Sequence, residues 1–256
     1  MDKILEWQTV DTSGMDDSGW IISAKRFVAF IDIMGFKSMV NSRDQKYIHN
    51  LMKKVVGATK QYENAQYKLS ADEATSAIRC SIYSDSIMLY SFNDIAFCLN
   101  VMSTALAGIT EALYMEGIPF KGGLAHGEMT VDFANSIFFG KPLINAHLLQ
   151  EELSFYGIVI HGSVEPHLAP YQNIFPTVEY LCQFKMGKAH HRVIHPKIRN
   201  YAKPYSEWLT QTIDEFRNMT SGHLRAYVEN TQNFLNHVSE HYKQVVIDAT
   251  VDNQPG

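Results

Sequence analysis

The stretch Phe27-Val28-Ala29-Phe30-Ile31-Asp32-Ile33-Met34-Gly35-Phe36 decides how the chain is read. Its apolar run has the character of a buried strand, and a carboxylate set into it is costly unless it is paired or holds a metal. The Gly35-Phe36 that follows bends the chain and leaves backbone N–H groups free to face an anion. A second segment, Ser81-Ile82-Tyr83-Ser84-Asp85-Ser86-Ile87-Met88-Leu89-Tyr90, has the same character. Its Ser-Asp-Ser lies between two short β-rich runs, which predicts a hairpin with Asp85 at its tip. Two carboxylates on adjacent strand ends, beside a phosphate-cradling turn, suit a divalent metal and a nucleoside triphosphate.

The 256 residues can bury one full-sized core. Acidic residues outnumber basic ones, 27 against 22, for a net charge of −5. No Lys/Arg block of nucleic-acid-binding type appears, so a polyanionic polymer is not expected as a partner. A small anion held through metal is compatible, because the ions supply positive charge locally. Cys80, Cys98 and Cys182 are odd in number and form no CxxC pair. They read as core thiols in a reducing compartment. With no signal-peptide run and no stretch approaching about 18 apolar residues, the expectation is a cytoplasmic protein without a membrane partner.

Residues 1–20 read as a polar lead-in, 21–200 as the main domain and 201–256 as a helical extension. After the strand at 27–33, helix spacing of Tyr47, Ile48, Leu51, Met52, Val55 and Val56 predicts a helix over 44–63. Residues 64–74 read as a loop and 76–92 as the hairpin. Ile95, Cys98, Leu99, Met102, Leu106, Ile109 and Leu113 mark a helix over 94–116, stopped by Gly117-Ile118-Pro119. A glycine-bearing strand over 120–128, a short strand at 136–139, a helix at 142–153 and a strand at 156–160 follow. The order predicts an α/β (α+β) sandwich with a mostly antiparallel sheet, helices packed on it and C-terminal helices over 204–246.

Phe-x-Asp-Ile-x-Gly-Phe, then a hairpin carrying a second Asp, then Phe139-Gly140-Lys141-Pro142-Leu143 leading to Ala146 in a helix, resembles the class III nucleotidyl cyclase domain. The likeness covers roughly 25–165. It implies two divalent ions, Mn2+ or Mg2+, on Asp32, Asp85 and the Ile33 carbonyl, with Met34, Gly35, Phe36 and Lys37 at the phosphates. It also implies a head-to-tail homodimer with composite sites.

The departures narrow the resemblance. The family's adenine-reading Lys falls on Ser81, and its partner Asp falls on Ile137. The Asn and Arg that position ribose and stabilise the transition state fall on Ile144 and Leu148, with Asn145 one residue away. This combination resembles the stand-alone pyrimidine cyclases of bacterial Pycsar anti-phage systems. Arg79, Ser81 and Tyr83 share a strand face with Asp85, so Arg79 is the candidate replacement cation and base contact. A guanidinium suits the second carbonyl of uracil, which favours UTP over CTP.

Asp32, Asp85 and Arg79 are therefore the expected catalytic residues. Met34, Gly35, Phe36, Lys37, Arg79, Ser81, Tyr83 and Asn145 are expected at the substrate. Lys185 and Lys188, on a late strand, are weaker phosphate candidates. His126 and His147 read as structural histidines, and His190-His191-Arg192 with His195 as a polar surface loop rather than a zinc site. The expected function is metal-dependent conversion of a pyrimidine triphosphate to its 3′,5′-cyclic nucleotide, a second messenger read by a downstream receptor in anti-phage defence. The alternatives are a non-catalytic pseudo-cyclase, or a purine cyclase with unusual base recognition.

Overall fold

The structure is a computed structural model. It describes residues 14–16, 19–68, 74–171, 175–196 and 203–251, with backbone alone at 171, 203–209 and 242–251. Most of the lead-in over 1–20 lies outside the described residues.

Strand β1 (Ser23–Ile33) begins the main sheet, and α1 (Phe36–Ser42) and α2 (Gln45–Lys60) follow it. Asp44 caps α2 by accepting the Tyr47 N–H at 2.6 Å. Ile48, Leu51, Val55 and Thr59 form the buried stripe of α2. Within and just past the expected loop, β2 (Gln66–Lys68) and β3 (Ala74–Ser76) pair antiparallel. The β4 (Ile78–Tyr83) and β5 (Ser86–Ser91) hairpin stands where the sequence places it. Helix α3 (Ala96–Met115) ends at Gly117, whose φ of 62° is costly for other residues.

Among the described residues α3 alone is long and apolar enough to cross a membrane; 56% of that window is buried inside the fold. Its Leu99, Met102, Leu106 and Ile109 meet Phe27, Ala29, Ile31 and Ile33 of β1 in the main core.

Beyond α3 come β6 (Phe120–Asp132), β7 (Ile137–Gly140), α4 (Lys141–Glu152), β8 (Gly157–Ile160) and the short α5 (Glu165–Leu168). Two further strands, β9 (Thr177–Phe184) and β10 (Gly187–Ile194), stand where the sequence reading expects one late strand; Lys188 lies on β10 and Lys185 between the two. His190-His191-Arg192 therefore lies on a strand, not in the expected loop. The C-terminal stretch is two helices, α6 (Lys203–Met219) and α7 (Gly222–Val251), broken at Gly222 with φ 60°. Trp208, Leu209 and Tyr242, apolar positions of the helices expected over 204–246, have side chains outside the described residues.

The main sheet runs β4-β5-β1-β6-β8-β10-β9, with β7 also on β6; only β6 and β8 pair in parallel. The mixed α/β class with a mostly antiparallel sheet is thus as the sequence predicts. Side chains alternate across β1. Phe27, Ala29, Ile31 and Ile33 face α3, whereas Val28 joins Trp20, Tyr90, Phe92, Met129 and Val131 in a second cluster on the opposite face. Phe234 of α7 packs 5.4 Å from Phe155 and 5.2 Å from Tyr180, ring centre to ring centre. Side chains and backbone from neighbouring elements engage part of each edge. Glu63 accepts the Cys80 N–H at 2.7 Å on β4, while His237 Nε2 and the Ser154 N–H reach the Glu179 and Gln183 carbonyls of β9 at 2.8 and 3.0 Å.

Candidate active site

Cross-strand register gathers the functional face. Asp32 lies opposite Ser86 on β5 and Lys121 on β6, and Phe30 lies opposite Met88 and Gly123. Ser81 and Tyr83 face the same way, opposite Met88 and Ser86. The hairpin tip is closed by Ser84 at φ 56°, and the Ile33 N–H donates to the Asp85 carbonyl at 2.9 Å. This bond ties the tip to the end of β1 and brings Asp85 to Asp32.

Both aspartates are partly buried. Burial pushes the Asp32 carboxyl above its ordinary range, and the nearby Asp85 pushes it further. Lys121 and His147 act against that shift, and Glu151 adds to it. Two like charges held together this way are what a cation would relieve. Among the described residues no three His, Cys, Asp or Glu side chains are grouped to hold a metal. The donor set is therefore two carboxylates, which suits Mg2+ or Mn2+ that completes its shell with substrate phosphates and water.

Helix α4 roofs this end of the sheet because Gly123 lets it approach. A Cβ at Gly123 would meet the Ala146 backbone. With α4 down, His147 packs edge-on to Phe30 at 4.9 Å and lies 3.9 Å from Glu151, its neighbour one turn on. Lys121, only 6% exposed, donates to the Glu151 carbonyl at 3.4 Å. Sequence reading missed Lys121 and Glu151 and took His147 as structural. Only the β1–β6 register places Lys121 opposite Asp32, and only the α4 approach brings the other two.

The β1–α1 turn differs in detail from expectation. The Met34 N–H is already bonded to the Pro119 carbonyl at 2.8 Å and is not free for phosphate. Gly35 adopts the left-handed conformation at φ 75° and ψ 7°, Phe36 turns inward and Lys37 is exposed. The first-turn N–H groups of α1 lack intrahelical acceptors, as at any helix start.

Arg79 is the clearest correction. Its guanidinium stacks 4.9 Å over Trp20 and 5.2 Å over Phe133, and Asp16 and Glu63 act on its charge. It stands four residues up β4 from Tyr83, about 13 Å along the strand. It shares the face of Asp85 but not its pocket, because the aromatic cluster at the far end captures it. Ser81 is engaged with the Tyr90 hydroxyl. Tyr83 is 80% exposed at the rim. Asn145 is half-buried on α4, between the outward-facing Ile144 and the sheet-facing Ala146. Ile137, Phe139, Ile144 and Leu148 form a set of exposed apolar residues on β7 and α4.

No protein-family model and no curated protein matches the chain. Solved structures similar to it include the catalytic core of a rhodopsin–guanylyl cyclase with converted specificity, in complex with ATPαS. That likeness has 16% identity, 68% of this chain, 96% of the other and a TM-score of 0.47. A bacterial light-regulated adenylyl cyclase is 12% identical over 75% of this chain and 98% of its own, at a TM-score of 0.46. The guanylate cyclase domain from Catenaria anguillulae in complex with GTP is 17% identical over 68% and 98%, also at 0.46.

Proposed function

We propose that the protein is a nucleotidyl cyclase that acts on a pyrimidine nucleoside triphosphate and works as a homodimer. The observation that carries this reading is the convergence of Asp32 and Asp85 through the Ile33–Asp85 bond at the open end of the sheet. Cyclisation joins the ribose 3′-oxygen to the α-phosphorus and breaks the bond to the β-phosphate. Pyrophosphate leaves and the hydroxyl proton passes to solvent. Divalent ions, when bound, lower the hydroxyl pKa and neutralise the triphosphate. Asp32, Asp85 and the Ile33 carbonyl are the groups to hold them. Gly35, Phe36 and Lys37 are the groups to cradle the phosphates, while the Met34 N–H is committed to Pro119.

The pyrimidine preference rests on Ser81 and Ile137, a hydroxyl and an apolar wall that offer no purine-reading charge. The argument for UTP over CTP depended on Arg79 and falls with its placement under Trp20. The exposed Ile137, Phe139, Ile144 and Leu148 supply an apolar surface for a second copy, which would complete a composite site. In this reading the cyclic product is the signal, and a receptor for it acts downstream in anti-phage defence.

A pseudo-cyclase that only binds nucleotide is the second reading, favoured by Ile144 and Leu148 where polar transition-state groups are expected. Incubation of the purified protein with each of the four nucleoside triphosphates and Mn2+, read by mass spectrometry, separates the two. Cyclic UMP or cyclic CMP is expected as the main product. Cyclic AMP or GMP would overturn the base assignment, and no cyclic product would favour the binding module.

A further inference from the structure

Resting on the metal reading above, we infer that Lys121 is a positioning residue. It supplies a fixed counter-charge to Asp32 that keeps the carboxylate pair from holding metal tightly until a triphosphate arrives. Lys121 is the direct cross-strand partner of Asp32, on the same face, and is only 6% exposed. A lysine so buried needs a reason. Its ammonium is not in contact with the carboxylate. It donates to the Glu151 carbonyl at 3.4 Å, at the negative end of α4, and lies 5.8 Å from the Tyr227 ring centre. The ammonium is thus held on α4 while its charge still acts on the Asp32 carboxylate. Burial works against that charge and Lys185 opposes it further; Asp32, Glu151 and Glu152 favour it.

The electrostatic consequence follows from sign alone. An entering Mn2+ is drawn by Asp32 and Asp85 and repelled by Lys121. A triphosphate is drawn by Lys121 and by the metal together, so the two ligands favour each other and the free ion is held weakly. A lysine needed only to anchor α4 would act through its hydrogen bond to Glu151, which a neutral donor can also make.

The test is Mn2+ binding without nucleotide, read from the free-ion electron paramagnetic resonance signal. It compares the wild-type chain with Lys121→Met, Lys121→Gln, Lys121→Arg and Asp32→Ala, each checked for folding by thermal melt. We expect Lys121→Met and Lys121→Gln to bind Mn2+ about tenfold more tightly or better. Lys121→Arg should match wild type, and Asp32→Ala should lose binding. Wild-type affinity in both neutral variants, with binding still lost in Asp32→Ala, overturns the inference and leaves the metal reading intact. Loss of the fold in both neutral variants overturns it in favour of a structural lysine. Mn2+ binding that never depends on Asp32 overturns the metal reading itself.

Discussion

The backbone N–H of Ile33 donates to the carbonyl of Asp85 at 2.9 Å, across the gap between the end of β1 and the tip of the β4–β5 hairpin. Residues 52 positions apart in sequence are thereby fixed as neighbours. Asp32, one residue before, has its carboxyl raised first by burial and then by the nearby charge of Asp85.

Replacing Asp32 or Asp85 with Asn should reduce cyclisation to background while the melting temperature holds or rises. The removed charge is one that the metal-free protein carries at a cost. Activity assays paired with thermal melts check this, and unfolding of both variants would make the aspartates structural.

The metal-free protein should gain stability as pH falls toward the raised Asp32 pKa. An acid whose folded pKa lies above its unfolded value binds more protons in the native state, so its contribution to stability declines as pH rises through that window. Urea titrations at several pH values in EDTA should show this slope in the wild type, and a flatter one in Asp32→Asn.

Arg79→Ala should lower stability by about 1 kcal/mol through loss of the stacking on Trp20 and Phe133. It should leave the ratio of pyrimidine to purine turnover unchanged. A change in that ratio would return Arg79 to the base pocket.

Ile144→Glu combined with Leu148→Glu should give a folded monomer without activity, because these side chains are 58% and 53% exposed and support no core. Light scattering after size-exclusion chromatography reads the mass. A double variant that stays dimeric and active would place the interface elsewhere.

Gly123→Ala should destabilise the fold by about 1–3 kcal/mol, since the new methyl meets the Ala146 backbone. Urea titration of the variant beside the wild type reads the loss.

Much of this architecture is legible in the sequence because periodicity reports local structure. The strand around Asp32, the Asp85 hairpin and the long α3 were marked by their own residues. The late strand expected around Lys185 and Lys188 is two, β9 and β10, whose bounds are not legible because the Gly187–His191 end of β10 is polar and Glu179 and Leu181 face outward, so neither reads as a buried run. Arg79 was placed on the correct face, but strand parity carries no information about which end of the face a long side chain joins. Lys121 was hidden for a related reason: its importance comes from register with β1, a long-range fact. The bonded Met34 N–H depends on where Pro119 lands after α3 and could not be seen locally.

Glu63, His237 and Ser154 spend polar groups on the rims of the sheet, and this limits how copies of the chain can come together. A backbone group engaged in this way is not open to an incoming strand, which disfavours edge-to-edge growth at those positions of β4 and β9. Exposed apolar residues on β7 and α4 are not occupied in this way. For the proposed homodimer, those apolar residues would favour closed, face-to-face pairing over open-ended growth.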